Sequence, residues 1–308
     1  MKCLILGGGG FIGSHLSDKL LKNGYAVRIF ERLGLKKYRT FLPSEDIEWF
    51  EGDFLNIDDL ERAVIGCDFI YHLISTTLPK SSNDNPIYDV QTNVLGTLNL
   101  LQLLRKIKIT KIIFLSSGGT IYGIPETIPI LENHPLRPLC SYGITKLTIE
   151  KYLHLYNKLY DLPYCVLRFA NPYGERQPIS GAQGVVSVFL HKAMKGEIIE
   201  IWGDGSVVRD YIYIEDAVNA MLRVLECDCD KHVFNIGSGE GHNLNDILIE
   251  IETLLGCPVK RTYLQGRPLD VPVNVLDISR AKHFLQWFPE ISFQDGLSKT
   301  LMWLKGIQ

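Results

Sequence analysis

The stretch Gly7-Gly8-Gly9-Gly10-Phe11-Ile12-Gly13 decides the fold, because it stands directly between a strand pattern and a helix pattern. Lys2–Leu6 before it is an apolar run, and Phe11–Asn23 has a helical periodicity that ends at Gly24. Glycines at such a junction permit a tight turn and bring the backbone close to a pyrophosphate, which the N–H groups of the helix N-terminus then bind. The stretch therefore predicts a dinucleotide-binding loop. The residues expected to contact the dinucleotide are Gly7, Gly10, Phe11, Ile12 and Gly13.

The first half of the chain alternates short apolar runs with helical patterns. Further strand patterns lie at Ala26–Phe30, Ile47–Glu51, Phe69–His72, Lys111–Leu115 and Tyr164–Leu167. Two long helical patterns, Tyr88–Ile107 and Tyr142–Tyr160, separate the last three of these strands. This alternation is typical of βαβ units. It predicts an α/β fold with a doubly wound parallel sheet of the Rossmann type.

The second half of the chain has a different sequence pattern, in which turns rich in glycine and proline separate shorter helical segments. These helical patterns lie at Val185–Met194, Glu215–Leu225 and Leu244–Leu255. We expect residues 1–170 to form the dinucleotide-binding domain, with a segment near residues 207–236 returning to it. Residues 171–308 are expected to form mainly a smaller α/β substrate domain, packed against the first around a cleft.

Composition excludes several classes of function. The chain has 308 residues and a net charge of −3, which leaves no broad basic surface for nucleic acid. Its seven cysteines are scattered and odd in number, which favours a reducing compartment over a disulfide framework. No metal-ligand spacing occurs, and no window approaches the roughly 20 apolar residues of a membrane span. We therefore expect a cytoplasmic protein without a metal site and without a membrane partner.

An acidic residue follows the second predicted strand at the position expected to bind the adenosine ribose. Glu31 favours NAD as the cofactor, because a carboxylate repels the 2′-phosphate of NADP. The adjacent Arg32 could attract that phosphate, so NADP stays open. Asp53 follows the third strand and could accept a hydrogen bond from the adenine amino group. The alternative for Asp53 is the N-cap of a turn.

Tyr142 and Lys146 stand one turn apart at the start of a predicted helix. A free phenol has a pKa of about 10 and is a poor base at neutral pH. A nearby ammonium, together with a positive nicotinamide ring, favours the phenolate and lowers that pKa. The pair is therefore a candidate general base for a sugar or alcohol hydroxyl, and Lys146 could also hold the nicotinamide ribose.

These features together resemble an extended short-chain dehydrogenase/reductase, within its nucleotide-sugar epimerase/dehydratase branch. The resemblance covers nearly the whole chain. Besides the glycine loop and the Tyr142/Lys146 pair, it rests on Asn93-Val94-Leu95-Gly96-Thr97, Ser116-Ser117-Gly118-Gly119-Thr120-Ile121-Tyr122-Gly123, Arg168-Phe169-Ala170-Asn171-Pro172-Tyr173-Gly174, Arg209-Asp210-Tyr211-Ile212-Tyr213 and Asn235-Ile236-Gly237. It implies further cofactor contacts at Phe54, Leu73, Asn93 and Ser116.

One position departs from the family pattern. The family usually has a catalytic Ser or Thr four residues before the tyrosine that corresponds to Tyr122, and this chain has Gly118 there. Glycine has no hydroxyl to bind the substrate oxygen. Ser117, Thr120 or a water molecule would then supply that hydrogen bond.

The resemblance also implies a substrate end built from polar residues after the last parallel strand. Asn171 is expected to meet the pyrophosphate of a sugar nucleotide, and Arg209 and Arg267 to clamp it, because guanidinium groups bind phosphates bidentately. The alternative is two surface arginines that pair with neighbouring aspartates. Asp270 is expected at the nucleoside ribose, and Asn274 at the sugar pocket.

The reaction expected from the resemblance is epimerisation at C4 of a UDP-hexose through a transient 4-keto sugar, with UDP-glucose/UDP-galactose favoured. The related dehydratases carry an Asp-Glu pair between the hydroxyl residue and the tyrosine, and this chain has Gly118-Gly119-Thr120 there, without an acid or base for elimination. UDP-N-acetylhexosamine or UDP-uronate substrates stay open. A 4-ketoreductase of a deoxysugar nucleotide and a non-catalytic dinucleotide sensor are the competing hypotheses.

We further expect a homodimer through a bundle of the two long helices. The apolar stripe proposed for it comprises Leu98, Leu101, Leu104 and Leu153. The alternative is that these leucines are buried inside the monomer.

Overall fold

The computed structural model describes residues 1–35, 37–179, 184–227, 229–266 and 271–306. Its strands are β1 (Lys2–Leu6), β2 (Ala26–Glu31), β3 (Ile47–Glu51), β4 (Phe69–His72), β5 (Lys111–Ser117), β6 (Tyr164–Phe169), β7 (Asn171–Tyr173), β8 (Ile199–Trp202), β9 (Val208–Tyr213), β10 (Val233–Ile236), β11 (Gly241–Asn243), β12 (Arg261–Leu264) and β13 (Val273–Asn274). Its α-helices are α1 (Phe11–Lys22), α2 (Ile57–Val64), α3 (Pro79–Asp84), α4 (Pro86–Asp89), α5 (Gly96–Leu104), α6 (Ser141–Tyr160), α7 (Val185–Met194), α8 (Ile214–Glu226), α9 (Leu244–Leu255), α10 (Ser279–Phe284) and α11 (Phe293–Gly306). A π-helix, Val90–Leu95, joins α4 to α5.

Within the described residues, seven parallel strands form the central sheet in the order β10-β6-β5-β4-β1-β2-β3. The order reverses between β1 and β4, next to the glycine loop that follows β1. In a doubly wound sheet, ligands bind at such a switch point, outside the carboxyl ends of the strands. The sheet confirms the predicted α/β fold of the Rossmann type.

The strands read as nearly continuous apolar runs because helices cover both faces of the sheet. Cys3, Ile5 and Ile29 on one face pack in a cluster with residues of α1 and α8. On the other face, Leu4 and Phe114 pack with residues of α2, α5 and α6. The carboxyl edge of the sheet is thus held rigidly between two packed layers.

The leucine stripe that we expected at a dimer interface lies largely in this second layer, so that part of the prediction is wrong. Leu101 and Leu153 are completely buried in the monomer, and Leu104 is 3% exposed. Leu98 is partly buried against the same cluster. An apolar stripe indicates that one face of a helix is covered. It does not indicate whether the sheet of the same chain or a partner chain covers that face.

The helix expected at Tyr88–Ile107 is divided into α4, the π-helix and α5. A π-turn inserts one extra residue per turn, and such insertions often lie at functional sites. Here the π-helix contains Asn93 and ends directly before α5.

After β6 the chain builds smaller sheets beside the carboxyl edge of the central one. Among the described residues, β11, β9 and β13 pair in that order, β7 also pairs with β9, and β12 pairs with β8. This arrangement brings β13 near the end of β5. Every helix in the described part of the chain is too short or too polar to cross a bilayer.

Candidate active site

The glycine loop after β1 has the close packing that its sequence predicted. Gly7 has a φ of +88°, a conformation that favours glycine. A Cβ on Gly13 would lie 2.4 Å from the carbonyl oxygen of Gly7 and 2.6 Å from the Cα of Gly8. Gly10 is the N-cap of α1, and no described side chain caps that helix terminus. The loop therefore leaves N–H groups of the first turn available for phosphate oxygens.

Glu31, at the end of β2, reaches back to this loop. Its Oε2 accepts a hydrogen bond from the N–H of Gly9 at 3.3 Å, and its Oε1 accepts one from the N–H of Arg32 at 3.1 Å. Burial raises the pKa of Glu31, and these two hydrogen bonds act in the opposite direction. Each oxygen has a second acceptor site, so the carboxylate can still bind ribose hydroxyls.

The residues after β3 have mainly structural contacts. The Oδ1 of Asp53 accepts a hydrogen bond from the N–H of Leu55 at 2.9 Å, which is the turn geometry given as its alternative. Phe54 is buried, and a Cβ on Gly96 would lie 2.6 Å from its ring. Its ring centroid lies 5.2 Å from that of His72. The adenine contact of Asp53 therefore stays a prediction.

Tyr142 and Lys146 lie together at the start of α6, beside the end of β5. The Nζ of Lys146 lies 5.5 Å from the centroid of the Tyr142 ring and donates to the carbonyl oxygen of Leu115 at 2.9 Å. Burial lowers the pKa of Lys146 to about 8 and raises the pKa of Tyr142 to about 12. A hydrogen bond with Ser75 lowers the pKa of the Tyr142 phenol. The two sites that the sequence suggested separately thus share one edge of the sheet.

Two expected cofactor residues use their polar groups within the protein. The Oγ of Ser116 donates to Glu150 at 2.5 Å, and that carboxylate also binds Arg168 at 2.6 Å. The side chain of Asn93 accepts a hydrogen bond from the N–H of Thr76 at 3.1 Å. Asn93 therefore fixes the loop after β4, and Leu73 at the start of that loop lies against Gly7.

The end of β5 shows where a catalytic hydroxyl is sterically possible. A Cβ on Gly118 would lie 2.6 Å from the Cδ1 of Leu276, so a side chain there would require the Leu276 side chain to move. Ser117 is partly exposed. The Oγ1 of Thr120 is buried and has no hydrogen-bond partner among the described residues. Ser117 and Thr120 therefore both stay candidates, in different environments.

The substrate end is only partly covered by the described residues, because Arg267 and Asp270 lie outside them. The Nδ2 of Asn171 donates to the carbonyl oxygen of Asp210 at 2.9 Å. Arg209 donates to the carbonyl oxygens of Val208 and Val271 at 2.8 and 2.6 Å. These side chains lie on β7 and β9, which pair with each other.

Asn274, on β13, is 1% exposed. Its Nδ2 donates to the carbonyl oxygen of Gly118 at 3.1 Å, and its Oδ1 has no partner among the described residues. The amide therefore joins the C-terminal part of the chain to the end of β5 and retains an acceptor.

Comparison with known proteins places this geometry in a family. The model of the NAD dependent epimerase/dehydratase family matches residues 3–237. The chain belongs to this family. It is 33% identical to the UDP-glucose 4-epimerase of Mycolicibacterium smegmatis over 98% of this chain and 97% of that protein. It is 35% identical to the dTDP-4-dehydro-6-deoxyglucose reductase of Escherichia coli, over 97% and 96% respectively.

A solved structure supports the same family assignment. The UDP-glucose 4-epimerase of Thermotoga maritima, crystallised with UDP-glucose, has a TM-score of 0.94 and 35% identity, with 100% of this chain and 99% of that chain covered. As a member of this NAD-dependent family, the chain uses NAD. The glycine loop and Glu31 fit that cofactor, because the loop is closely packed yet uncapped and the carboxylate retains acceptor capacity.

Sequence reasoning missed the buried polar residues around the catalytic pair. Asp89 lies one helical turn before Asn93, and Glu150 lies one turn after Lys146. Each is a carboxylate one helical turn from an expected site residue, on the same face of the helix. This four-residue spacing could have indicated both residues from the sequence. Ser75 had no comparable signal, because it lies in a loop whose path the sequence does not specify.

Proposed function

We propose that this member of the epimerase/dehydratase family interconverts the C4 epimers of a UDP-hexose, with UDP-glucose and UDP-galactose as the favoured pair, through a transient 4-keto sugar. The observation that carries the proposal is the placement of Tyr142 and Lys146 at the sheet edge where the glycine loop also lies. The UDP-glucose in the related T. maritima structure supports the substrate class.

Tyr142 is the proposed base for the hydroxyl at C4. Burial is the main cause that raises the pKa of its phenol to about 12, so the phenolate needs stabilising charge and hydrogen bonds. The ammonium of Lys146 and the hydroxyl of Ser75 are the groups placed to provide them. In the reverse direction, the Tyr142 phenol returns its proton to the sugar oxygen. Ser117 or Thr120 would hold that oxygen in line with the phenol.

NAD would be held by the loop of Gly7, Gly10 and Gly13, with Glu31 at the adenosine ribose and Asp53 at the adenine. When bound, NAD supplies a two-electron acceptor and donor for the carbon at C4. Lys146 is also the proposed contact of the nicotinamide ribose. Because the cofactor is regenerated in each cycle, the epimerase needs no added NAD if it is retained on purification.

The UDP group would lie against β7, β9 and the segment before β13. Asn171 and Arg209 border this region, and Arg267 and Asp270 are the proposed diphosphate and ribose ligands. The Oδ1 of Asn274, which has no partner within the described part of the chain, is a proposed acceptor at the sugar pocket. A mid-sized amide there does not by itself select among glucose, N-acetylglucosamine and glucuronate forms.

A 4-ketoreductase of a deoxysugar nucleotide is the second candidate, favoured by the 35% identity to the E. coli reductase. A reductase consumes one equivalent of NADH or NADPH for each product, whereas an epimerase consumes none. Elimination reactions are disfavoured, because Gly118, Gly119 and Thr120 provide no carboxylate beside the phenol.

We also propose a homodimer formed by helices at the outer surface of α4–α6. Large apolar side chains stay exposed there in the monomer. The exposed fractions are 70% for Ile87, 49% for Leu95, 54% for Ile144 and 60% for Leu159. A second copy presenting the same side chains would cover this surface, and light scattering that gives a monomer mass would reject the proposal.

The described cysteines are free thiols, which supports a cytoplasmic location.

The decisive experiment incubates the purified protein with UDP-glucose, UDP-N-acetylglucosamine, UDP-glucuronate and dTDP-sugars, without added cofactor. NMR then reads the configuration at C4. We expect UDP-galactose from UDP-glucose, and no turnover with Y142F although that variant still binds NAD. Substantial activity of Y142F would reject the catalytic assignment. Product formation that depends stoichiometrically on added NADH or NADPH would select the reductase.

A further inference from the structure

Asp89 is a buried carboxylate that none of the roles above includes. It ends α4 directly before the π-helix and is 0% exposed. Described side chains donate four hydrogen bonds to it. Its Oδ1 accepts from the Oγ1 of Thr77 at 2.6 Å and the Nδ2 of Asn93 at 2.9 Å. Its Oδ2 accepts from the Oγ of Ser141 at 2.7 Å and the Oγ1 of Thr145 at 2.8 Å.

The donors belong to the segments that surround the catalytic pair. Ser141 and Thr145 lie on α6 beside Tyr142 and Lys146. Thr77 lies in the loop after β4, whose Ser75 contacts the Tyr142 phenol. Asp89 therefore joins the helix that carries the base to the loop that carries its hydrogen-bond partner. The two segments meet at the Tyr142 phenol.

The charge of Asp89 is not neutralised by the groups that bind it. Three described donors are hydroxyls and one is a side-chain amide, all of them uncharged. Four donors and no competing acceptor are what an ionised carboxylate accepts. Glu150 differs, because Arg168 forms an ion pair with it at 2.6 Å, with both side chains nearly fully buried.

The other titratable groups that face the pair contribute little free charge. His72 on β4 is neutral, because burial lowers its pKa to about 3. Cys140, directly before α6, is a thiol whose pKa burial raises. Glu150 on α6 forms an ion pair with Arg168 and raises the pKa of Lys146 less than Asp89 does. The carboxylate of Asp89 raises the pKa of Lys146 and that of Tyr142.

We propose that Asp89 is a positioning residue for the catalytic pair: it fixes the start of α6 to the loop after β4, and its charge sets the pH range in which Tyr142 and Lys146 work. This inference rests on the roles proposed above for those two residues. Asp89 is the strongest of the charges that raise the pKa of Lys146 against the effect of burial. The accompanying cost is a phenol that is harder to ionise.

The test is D89N, which removes the charge and keeps the shape. The Oδ1 of asparagine still accepts from Thr77 and Asn93, and the hydroxyls of Ser141 and Thr145 can rotate to accept from its Nδ2. We therefore expect a folded protein with an unchanged far-UV spectrum. In the pH profile of kcat/KM, the acidic limb follows ionisation of the Tyr142 phenol and the basic limb follows deprotonation of Lys146. Both limbs should move to lower pH, by about 0.5 to 1 unit, because the pKa values of Tyr142 and Lys146 both fall.

S141A is the matched control, since it removes one hydrogen bond to Asp89 and leaves the charge. Its limbs should stay in place even if kcat decreases. A second neutral variant, D89T, fills most of the same volume and should move both limbs in the same direction as D89N. If a folded D89N or D89T leaves both limbs unmoved, the proposal is overturned, whatever happens to kcat.

Y142F separates this inference from the proposed function. An active Y142F would reject the catalytic assignment on which Asp89 depends. An inactive Y142F together with unmoved limbs in D89N would reject the role of Asp89 alone.

Discussion

Leu276 occupies the space that a side chain at Gly118 would need. A Cβ on Gly118 would lie 2.6 Å from the Cδ1 of Leu276 and 3.2 Å from the carbonyl oxygen of Arg168. The carbonyl of Gly118 is also held by Asn274. The C-terminal part of the chain thus packs closely on the end of β5, at the position where the family usually has a hydroxyl.

We predict that G118S restores no catalytic hydroxyl and instead destabilises the protein by about 1–3 kcal/mol, because it overpacks a filled site. Urea unfolding measures the change. The double variant G118S/L276A should lose less stability than the sum of the two single variants, because the smaller side chain makes room for the serine. A G118S protein as stable as the parent and more active would contradict this account of the site.

The two remaining hydroxyls at this strand end should respond differently. We predict that S117A lowers kcat by about 10- to 100-fold, because its partly exposed hydroxyl can reach a substrate oxygen. T120V should retain most activity and lose no stability, because it removes a buried hydroxyl that has no partner among the described residues. Steady-state kinetics and thermal unfolding of both variants check this. The reverse ranking would assign the role to Thr120.

The sheet and the glycine loop could be predicted from sequence because both depend on local patterns. Lys2–Leu6, Ile47–Glu51 and Phe69–His72 have the same bounds in the structure as in the pattern. Apolar run length and flanking glycines decide such elements without knowledge of distant contacts. The pairing of Tyr142 with Lys146 is equally local, since one helical turn separates them.

What the sequence did not predict depends on contacts between distant segments. The π-helix before α5 interrupts a pattern that reads as one continuous helix, because a single inserted residue barely alters the periodicity. The carboxylate of Asp89 gains its position from Ser141, which is 52 residues away. The crowding around Gly118 arises from the Leu276 side chain. Leu276 lies on a segment whose position the pattern of strands and helices does not predict.

Removal of the Ser75 hydroxyl should shift the pH dependence of the reaction. The hydrogen bond with Ser75 lowers the pKa of Tyr142, so in S75A that pKa rises. The acidic limb of the kcat/KM profile, which follows ionisation of the phenol, should move to higher pH by about 0.5 unit. The basic limb should stay in place, because Ser75 is uncharged and does not contribute to the pKa of Lys146.

This pattern differs from that of D89N, in which both limbs move to lower pH. T76A is a suitable control, because Thr76 lies next to Ser75 in the same loop and does not contribute to the pKa of Tyr142. An acidic limb that moves equally in T76A and S75A would mean that the loop acts through its conformation and not through the Ser75 hydroxyl.

Glu31 should determine how strongly the protein discriminates NAD from NADP. We predict that E31Q, which keeps the shape and removes the charge, reduces the ratio of NADP to NAD dissociation constants by about 10-fold, or roughly 1.4 kcal/mol. The repulsion of a 2′-phosphate disappears, while the amide oxygen can still accept the N–H of Gly9. Titration calorimetry on cofactor-free protein measures both constants. E51Q is the matched control, because Glu51 ends β3 beside Glu31 and is exposed. A ratio that changes as much in E51Q as in E31Q would show that general surface charge, and not the carboxylate at the glycine loop, sets the cofactor preference.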